Sequence, residues 1–430
     1  AVGYGEGEMY LGSDAIALAP LTNRITFLEE GDRVVMHAGS AEIYDRQHRP
    51  ARRKVVDSTV DAVAMDKGSY RHFMLKEIHE QPAVVTETLG RYLDLEQGRV
   101  TLPEDLAVDF SRAPKVTIVA CGTAYYAGAV ARYWFERVAG VPVEVDIASE
   151  FRYREPVLPD GGLALFISQS GETADTLAAL AYCKAHGQHT VGVVNVPESS
   201  MARAADQILP TKAGPEIGVA STKAFTCQLA VLAALAVHAG RQRGVIDADR
   251  ESALVTALAS VPARMADMLT QERAITRLAR QIVDADTVLY LGRGTAYPMA
   301  LEGALKLKEI SYIHAEGFAA GEMKHGPIAL IDYRVPVIAV APPGALFEKS
   351  LSNIQEAAAR GGRMILVSSA DMCSAHGDEA IGTIAVPDAG AFANPLVYAI
   401  PLQLLAYEVA VAKGTDVDQP RNLAKSVTVE

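Results

Sequence analysis

Residues 116–124 read Val116-Thr117-Ile118-Val119-Ala120-Cys121-Gly122-Thr123-Ala124, a largely apolar run followed by a turn of small residues. A short continuous run of this kind predicts a strand that is buried on both faces. A helical pattern follows it through Trp134 and Phe135. Residues 163–167 and 189–194 have the same apolar character. Because such strands alternate with helices, we expect an α/β fold with a parallel sheet that is covered on both sides.

The same order of patterns occurs a second time. An apolar strand and a Gly-Thr-Ala turn recur at residues 287–296, where Gly294 stands 172 residues after its counterpart in the first turn. A second apolar run and turn recur at 335–345, where Gly344 stands 173 residues after Gly171. The two nearly equal separations favour a duplicated α/β domain over a chance similarity of short patterns.

Length and composition limit the number of domains and the class of partner. The 430 residues exceed what one ordinary core holds, so we expect two or three domains. A formal net charge of -12 argues against a nucleic-acid partner, because binding to phosphate backbones needs a basic face. The four cysteines have neither CxxC spacing nor disulfide density, which fits a reducing cytoplasm.

Two patterns bear on membranes and export. The first residues carry Glu6 and Glu8 and lack the order of a signal peptide. The apolar run 224–238 contains Gln228 and is shorter than the roughly 20 residues of a bilayer span. We therefore interpret this run as a buried helix and expect no membrane partner.

Changes of pattern divide the chain into six segments. Residues 24–28 and 33–36 are short alternating segments between glycine-containing turns, which indicates a β-rich start. The strands that such a domain needs before residue 1 are not in the sequence, so we expect its upstream part to be missing. We predict a β-rich region at 1–60, a connector with one helix at 61–105, a first α/β domain at 106–245, a helical connector at 246–277, a second α/β domain at 278–418 and a tail at 419–430.

The two repeats differ at the turn after their second strand. In the first repeat this turn is Ser168-Gln169-Ser170-Gly171-Glu172-Thr173, the serine turn, and it combines three hydroxyls with backbone amides at a helix start. Such a site suits a phosphate, although an ordinary Ser/Thr helix cap is the alternative. The corresponding Pro342-Pro343-Gly344-Ala345-Leu346 has no such side-chain donors. Neither turn is a GxGxxG motif, which weakens a dinucleotide-binding interpretation.

Three further patterns are candidates for chemistry. The hydroxyl-rich stretch Glu216-Ile217-Gly218-Val219-Ala220-Ser221 either adds ligand contacts or caps the helix that follows. Glu302, Lys306 and Glu309 share one face of an apolar helix, either as a solvated ion-pair stripe or as buried, coupled groups. His325 stands in a Gly-Pro turn, where it is an acid/base candidate or a structural residue.

The tail ends an acidic chain with a lysine in a patterned segment. It reads Asp418-Gln419-Pro420-Arg421-Asn422-Leu423-Ala424-Lys425-Ser426-Val427-Thr428-Val429-Glu430. A lysine near a terminus is most often solvated. In combination with the serine turn and the Glu302-to-Glu309 helix, however, we interpret Lys425 as a catalytic amine.

These motifs together resemble the bacterial glucosamine-6-phosphate synthase family, also called glutamine-fructose-6-phosphate aminotransferase (isomerizing). The resemblance rests on the serine turn, on Glu302-Gly303-Ala304-Leu305-Lys306-Leu307-Lys308-Glu309, on Lys324-His325-Gly326-Pro327 and on the tail. It implies two tandem flavodoxin-like sugar-isomerase (SIS) domains, preceded at 1–60 by the end of an Ntn-type glutaminase domain. It also implies conversion of fructose 6-phosphate to glucosamine 6-phosphate with ammonia from glutamine.

The resemblance assigns roles to matching positions. Lys425 would form a Schiff base with the ketose, Glu309 would move the proton between carbons 1 and 2, and His325 would assist ring opening. Lys306 would support the charge pattern. Phosphate and sugar contacts would come from Thr123, Ser168, Gln169, Ser170, Thr173, Val219 and Ser221. No metal or organic cofactor is implied, and a homodimer is, because the family supplies the histidine across a subunit interface.

Two departures from the family pattern affect these expectations. The family commonly has serine where this chain has Ala124, so one expected phosphate contact is absent and Thr123 serves without it. None of the four cysteines matches the amino-terminal nucleophile of the family's glutaminase, so we do not expect this chain alone to hydrolyse glutamine. Two other functions stay open, a sugar-phosphate sensor and a simple aldose-ketose phosphate isomerase. A sensor does not need Glu309, His325 and Lys425 together, and a simple isomerase does not need the tail lysine.

Overall fold

The computed structural model describes residues 1–12, 15–29, 31–58, 66–103 and 108–428. The chain forms two units, Ala1–Ser69 and Tyr70–Glu430. Two of the boundaries predicted from the sequence, at 60/61 and at 105/106, and the last two residues of the tail lie outside the described residues.

The first unit is rich in β-structure, as its alternating pattern predicted. Its antiparallel sheet has the order β2-β1-β3-β6, and a separate hairpin joins β4 to β5. A small core surrounds Ala15, Leu18 and Ile25. The elements are β1 (Val2–Tyr4), β2 (Met9–Leu11), α1 (Ala15–Leu18), β3 (Arg24–Thr26), β4 (Arg33–His37), β5 (Ser40–Tyr44) and β6 (Val55–Asp57).

The second unit begins with a helix and a short hairpin, followed by the first parallel sheet. The sheet has the order β10-β9-β11-β12-β13 with every neighbouring pair parallel. All five residues of β9 and all six of β11 are buried, which confirms the interpretation of their apolar runs. These elements are α2 (Phe73–Gly90), β7 (Leu93–Asp94), β8 (Arg99–Val100), β9 (Val116–Ala120), α3 (Gly122–Trp134), β10 (Val143–Ile147), α4 (Ala148–Arg154), β11 (Leu163–Ser168), α5 (Ala174–Ala185), β12 (His189–Val194), α6 (Ser200–Ala204), β13 (Gln207–Pro210) and α7 (Lys223–Gln242).

Two helices then lead to a second parallel sheet with the same topology, of order β15-β14-β16-β17-β18. Gly122 and Gly294, the matched glycines of the two first turns, both have left-handed φ angles, 54° and 57°. The duplication expected from the sequence is therefore confirmed. These elements are α8 (Ala248–Leu269), α9 (Glu272–Ile282), β14 (Thr287–Gly292), α10 (Ala296–Ser311), β15 (His314–Ala319), β16 (Pro336–Val340), α11 (Phe347–Ala358), β17 (Arg363–Ser368), α12 (Ala370–His376), β18 (Gly382–Ala385) and α13 (Gly390–Lys413).

One large core joins the two sheets through the helices between them. Helix α10 packs on α13 and on α3, and α2 packs on α7 and α8. The resulting apolar cluster extends from Met74 in α2 to Val417 beyond α13. The predicted boundary at 277/278 falls inside α9, which continues to Ile282 before β14 begins.

Two helices of the second unit, α7 and α13, are long and apolar enough to cross a membrane by length and composition. The sequence predicted that the apolar run in α7 is too short to span a membrane. The helix is 20 residues long because Lys223 and the polar residues up to Gln242 extend it beyond that run. Of the apolar windows of α7 and α13, 94% and 83% of the residues are buried inside the protein. Burial, not length, therefore identifies α7 as a core helix.

Candidate active site

A cavity of about 320 Å³ opens at the carboxyl ends of β9 and β11. The strand order reverses between these two strands, and this is where parallel α/β sheets bind ligands. The lining brings together ten of the eleven site residues predicted from the sequence. These are Thr123, Ser168, Gln169, Ser170, Thr173, Val219, Ser221, Lys306, Glu309 and Lys425, with Ala124 beside them.

 Nine of these side chains belong to the two repeats, and the tenth, Lys425, reaches the cavity from the tail.

The serine turn holds its hydroxyls in a fixed orientation. Ser168 Oγ accepts a hydrogen bond from the amide of Gly171 at 2.9 Å, and Ser170 Oγ accepts one from the amide of Glu172 at 3.2 Å. We expected free amides at this turn, but these two amides are bound to the serine oxygens. A hydroxyl whose oxygen accepts an amide proton keeps its own proton for another acceptor. The turn is therefore suited to bind an anion mainly through its hydroxyl groups and less through its backbone amides.

Thr173 distinguishes a ligand site from an ordinary helix cap. It occupies the N-cap position of α5, yet its side chain makes no capping hydrogen bond in the described chain. Its Oγ1 atom instead lies 3.4 Å from Ser168 Oγ and lines the cavity. The alternative of a simple Ser/Thr cap thus does not account for the position of this hydroxyl.

Gly171 allows the serine turn to close against its neighbours. Its φ angle is 68°, which a side chain rarely adopts, and a Cβ atom there would lie 2.1 Å from Ser199 Oγ. Ser199 itself caps α6 by accepting a hydrogen bond from Ala202. Backbone conformation and space therefore both require glycine at this position.

Lys425 is held by the 216–221 loop, which lies before α7. Its Nζ atom donates to Glu216 Oε2 at 2.5 Å and to the carbonyl of Gly218 at 2.8 Å. Glu216 Oε1 also accepts from the amides of Thr222 and Ala224, so this carboxylate caps α7. Burial opposes its ionisation, but Lys425 and these amides outweigh burial and lower the pKa of Glu216.

The second repeat contributes charged groups from α10. Lys306 is fully buried, and its Nζ lies 2.6 Å from Glu309 Oε2 and 3.6 Å from Glu302 Oε1. Glu302 accepts a hydrogen bond from Thr123 Oγ1 at 3.2 Å, which joins the two repeats. Burial raises the pKa of Glu302 to about 8. Burial also disfavours the Lys306 ammonium, but the two carboxylates outweigh it and raise the pKa of Lys306. Glu302 and Lys306 are buried and Glu309 is half-buried, so the three groups form one interacting set and not a solvated stripe.

The tail covers the serine turn. Ser426 Oγ lies 2.9 Å from Ser170 Oγ, and the carbonyl of Val427 accepts a hydrogen bond from the amide of Ala174 at the start of α5. Residues 423–427 all line the cavity. The segment that carries Lys425 therefore also forms one wall of the candidate phosphate site.

His325 is the predicted site residue that the structure does not bring to this cavity. It is exposed at the end of a 3-10 segment, Ala320–His325, and the turn predicted around it is formed by Gly326 with a φ angle of 150°. Within the described residues, the cavity lining does not include it.

Several buried polar atoms around the cavity have no hydrogen-bond partner among the described residues. Gln169 Nε2, Thr176 Oγ1 and Gln228 Oε1 belong to lining residues, and Glu302 Oε2 belongs to the carboxylate whose other oxygen binds Thr123. An unpaired buried polar atom is costly unless a ligand or water satisfies it. The cavity is therefore suited to a polar ligand. The sequence interpretation missed Thr176 and the role of Gln228, although a glutamine inside an otherwise apolar helix was a usable signal.

The comparisons with known proteins agree with this architecture. The SIS domain family matches residues 109–238 and 281–413. A glutamine-fructose-6-phosphate aminotransferase [isomerizing] from Bradyrhizobium diazoefficiens is 60% identical over all of this chain and 71% of its own length. One of the same name from Zymomonas mobilis is 61% identical over 100% of this chain and 70% of its own length.

Solved structures give the same picture. The C-terminal domain of glucosamine-fructose-6-phosphate aminotransferase from Francisella tularensis aligns with a TM-score of 0.78 and 44% identity, over 82% of this chain and all of that one. Glucosamine-6-phosphate deaminase from Thermotoga maritima aligns with a TM-score of 0.65 and 24% identity, over 83% of this chain and 99% of its own, and shows the fold alone. On the full-length sequence match and the two SIS domains, this chain belongs to the glutamine-fructose-6-phosphate aminotransferase (isomerizing) family.

Proposed function

We propose that this chain carries the sugar-phosphate half of the family's reaction, in which fructose 6-phosphate and ammonia from glutamine give glucosamine 6-phosphate. The observation that supports this most strongly is that one cavity is lined by the serine turn, by Glu309 and by Lys425. The serine turn suits the phosphate, the lysine suits the ketose carbonyl and the carboxylate suits proton transfer. A binding protein that only senses a sugar phosphate has no use for the last two.

The proposed chemistry begins at the ketose carbonyl. The amine of Lys425 attacks carbon 2, water leaves, and a Schiff base forms. Glu216 and the carbonyl of Gly218 hold the lysine before the substrate enters. Ammonia then replaces the lysine amine at carbon 2. Glu309 removes a proton from carbon 1 and returns one to carbon 2, which leaves an aldehyde at carbon 1 and an amine at carbon 2. A simple isomerase needs the proton transfer but not the lysine.

The decisive test is to trap the Schiff base. Purified protein is incubated with fructose 6-phosphate and borohydride, and the modified residue is located by mass spectrometry. We expect the adduct on Lys425, and we expect Lys425→Ala to lose both the adduct and the activity. Lys308→Ala, an exposed lysine on α10, is the matched control and should keep both. An adduct on another residue, or none, would contradict the proposed role of Lys425.

Product analysis separates this function from the simple isomerase. With fructose 6-phosphate alone we expect slow formation of glucose 6-phosphate, and with glutamine we expect little glucosamine 6-phosphate from this chain alone. With added ammonium salt, glucosamine 6-phosphate should appear. An enzyme that forms glucose 6-phosphate rapidly and never incorporates the amine would be a simple isomerase.

We further propose a homodimer in which His325 acts in the site of the partner subunit. In support, His325 is exposed and outside its own chain's cavity lining, while it is predicted to assist ring opening. Co-expression of Lys425→Ala with His325→Ala tests this. If the histidine acts across an interface, each mixed dimer holds one intact site and activity returns. If it acts within its own chain, both sites stay defective and no activity returns.

A cytoplasmic location is proposed as well. All four cysteines lie in the described residues and are free thiols, and Cys183, Cys227 and Cys373 are buried. Reduced thiols fit a reducing compartment. Cell fractionation with an antibody against the chain would test this, and recovery from an exported fraction would contradict it.

A further inference from the structure

Helix α2 lies outside both ranges matched by the SIS domain family, yet its first two turns contact the segments that hold Lys425. The carboxylate of Asp418, which stands seven residues before Lys425, accepts hydrogen bonds from the amides of Phe73 and Met74 at 2.9 Å each. The first amides of a helix have no partner within the helix, and a negative charge is favourable there. The start of the tail is therefore fixed to the start of α2.

The same helix holds the 216–221 loop through Glu77. This side chain is buried, and its Oε1 atom accepts hydrogen bonds from the amides of Ile217 at 2.5 Å and Gly218 at 3.1 Å. A Cβ atom at Gly218 would lie 2.9 Å from Glu77 Oε2, so glycine permits this close approach. Glu77 thus fixes the two peptide units that directly precede the Gly218 carbonyl, which binds Lys425.

The loop and the tail also bind each other. The amide of Val219 donates to the carbonyl of Asp418 at 3.0 Å, and Lys425 Nζ donates to the carbonyl of Gly218 at 2.8 Å. The hydrogen bonds therefore run from α2 to the loop, from the loop to the tail, and from the tail back to α2. Each of the three segments is held by the other two.

We propose that Glu77 and Asp418 are positioning residues that hold the Lys425 amine at the reacting distance from the sugar carbonyl. This inference rests on the proposed function of Lys425. A lysine on an irregular segment near a terminus would otherwise sample many positions. Misplacement of a reacting group by about 1 Å is enough to lower a rate on the order of 100-fold. The two carboxylates touch no reacting atom and act through the loop and the tail.

The test compares Glu77→Ala and Asp418→Ala with their conservative forms, Glu77→Gln and Asp418→Asn. Glu87→Ala, an exposed residue on the same helix, is the matched control. For each protein we measure kcat, KM for fructose 6-phosphate, the rate of borohydride trapping at Lys425 and the melting temperature. We expect the alanine variants to lose about 10- to 100-fold in kcat and in trapping rate. Their KM should stay within about threefold, because neither substitution touches the serine turn that is expected to bind the phosphate.

Glu77→Gln keeps the one oxygen that accepts both amide protons, so it should recover much of the trapping rate. Asp418→Asn keeps one of the two accepting oxygens, so it should recover part of it. If an alanine variant does not fold, its conservative form decides the test: we expect it to lose kcat and trapping rate in the same way, but to a smaller extent. Trapping at the wild-type rate in all four variants would overturn the positioning role. A loss of trapping rate that is fully explained by the fraction of unfolded protein would also overturn the positioning role. Absence of an adduct on Lys425 in the wild type would instead overturn the proposed function itself.

Discussion

The two parallel sheets have the same strand order but different crevices where that order reverses. In the first repeat the crevice is a cavity of about 320 Å³, bordered by the serine turn. In the second repeat it is reduced to about 10 Å³, because Met299 of α10 and Pro395 and Tyr398 of α13 fill it. Among the described residues, the duplicated fold therefore has a large cavity at this crevice in the first repeat and a small one in the second.

The second repeat contributes charged side chains to the cavity of the first. Its first helix, α10, is the counterpart of α3, and the two helices pack against each other. This contact brings Glu302 to Thr123 and carries Lys306 and Glu309 into the lining of the first repeat's cavity. On the proposed function, one repeat would bind the substrate and the other would supply the proton-transfer groups.

The largest expected effect concerns Gly171 and Gly344, the matched glycines in the turns after the second strand of each repeat. Gly171→Ala should raise KM for fructose 6-phosphate about 100-fold, roughly 3 kcal/mol, because the new Cβ displaces the serine turn from Ser199. Gly344→Ala in the second repeat meets nothing within 4 Å and should strain only its own turn, whose φ angle is 136°. Steady-state kinetics and melting temperatures of both variants check this. Equal KM values would mean that the serine turn does not bind the substrate.

A second, smaller effect concerns the pH dependence of stability. Because burial raises the pKa of Glu302 to about 8, the folded protein binds a proton that the unfolded chain has released. The stability linked to this proton is complete below the unfolded pKa, near 4.5, and is lost as the pH rises through 8. Glu302→Gln removes the titration, so its unfolding free energy relative to the wild type should increase by roughly 2 kcal/mol between pH 6.5 and pH 9.

Denaturant unfolding at several pH values measures that difference. Glu77, whose pKa burial and Glu216 raise to about 7, titrates in both proteins and cancels. The exposed Glu348→Gln is the control and should give a difference that stays flat with pH. A flat difference for Glu302→Gln as well would show that Glu302 is ionised throughout.

The sequence was sufficient for the sheets and for most of the cavity. Strands β9 and β11 were predictable because residues buried on both faces are apolar throughout, which is a local property of the chain. The serine turn was predictable because it follows such a strand directly. In both cases the signal lies within a few neighbouring residues.

The partners of these residues were not predictable, because they are distant in the chain. Glu216 and Lys425 are 209 residues apart, and Phe73 and Asp418 are 345 apart. No local pattern determines such pairs; they follow from how the helices pack. For the same reason the sequence could indicate that His325 stands in a turn but not whether it reaches its own chain's cavity.

A third prediction concerns Gln228, whose buried Oε1 atom has no described hydrogen-bond partner. Its replacement should have opposite effects on stability and on substrate binding. Gln228→Leu should raise the unfolding free energy of the empty protein by about 1 kcal/mol, because it removes a buried oxygen without a described partner. It should also weaken binding of fructose 6-phosphate about tenfold, since a ligand contact is lost. Gln403→Leu is the control: both ends of Gln403 are hydrogen-bonded, so that variant should lose stability. Loss of stability in both variants would show that Gln228 is paired in the empty protein.

The smallest expected effect concerns Ala124, which follows the first strand of the first repeat. Ala124 lines the cavity with a methyl group where the family commonly has a serine hydroxyl. Ala124→Ser should strengthen binding of fructose 6-phosphate by roughly 1 kcal/mol, about fivefold, if its hydroxyl reaches the phosphate. The matched change in the second repeat, Ala296→Ser, adds a hydroxyl beside the nearly filled crevice and should leave binding unchanged. Titration calorimetry of both variants measures the difference. Unchanged binding by Ala124→Ser would place the phosphate deeper in the serine turn, beyond the reach of α3.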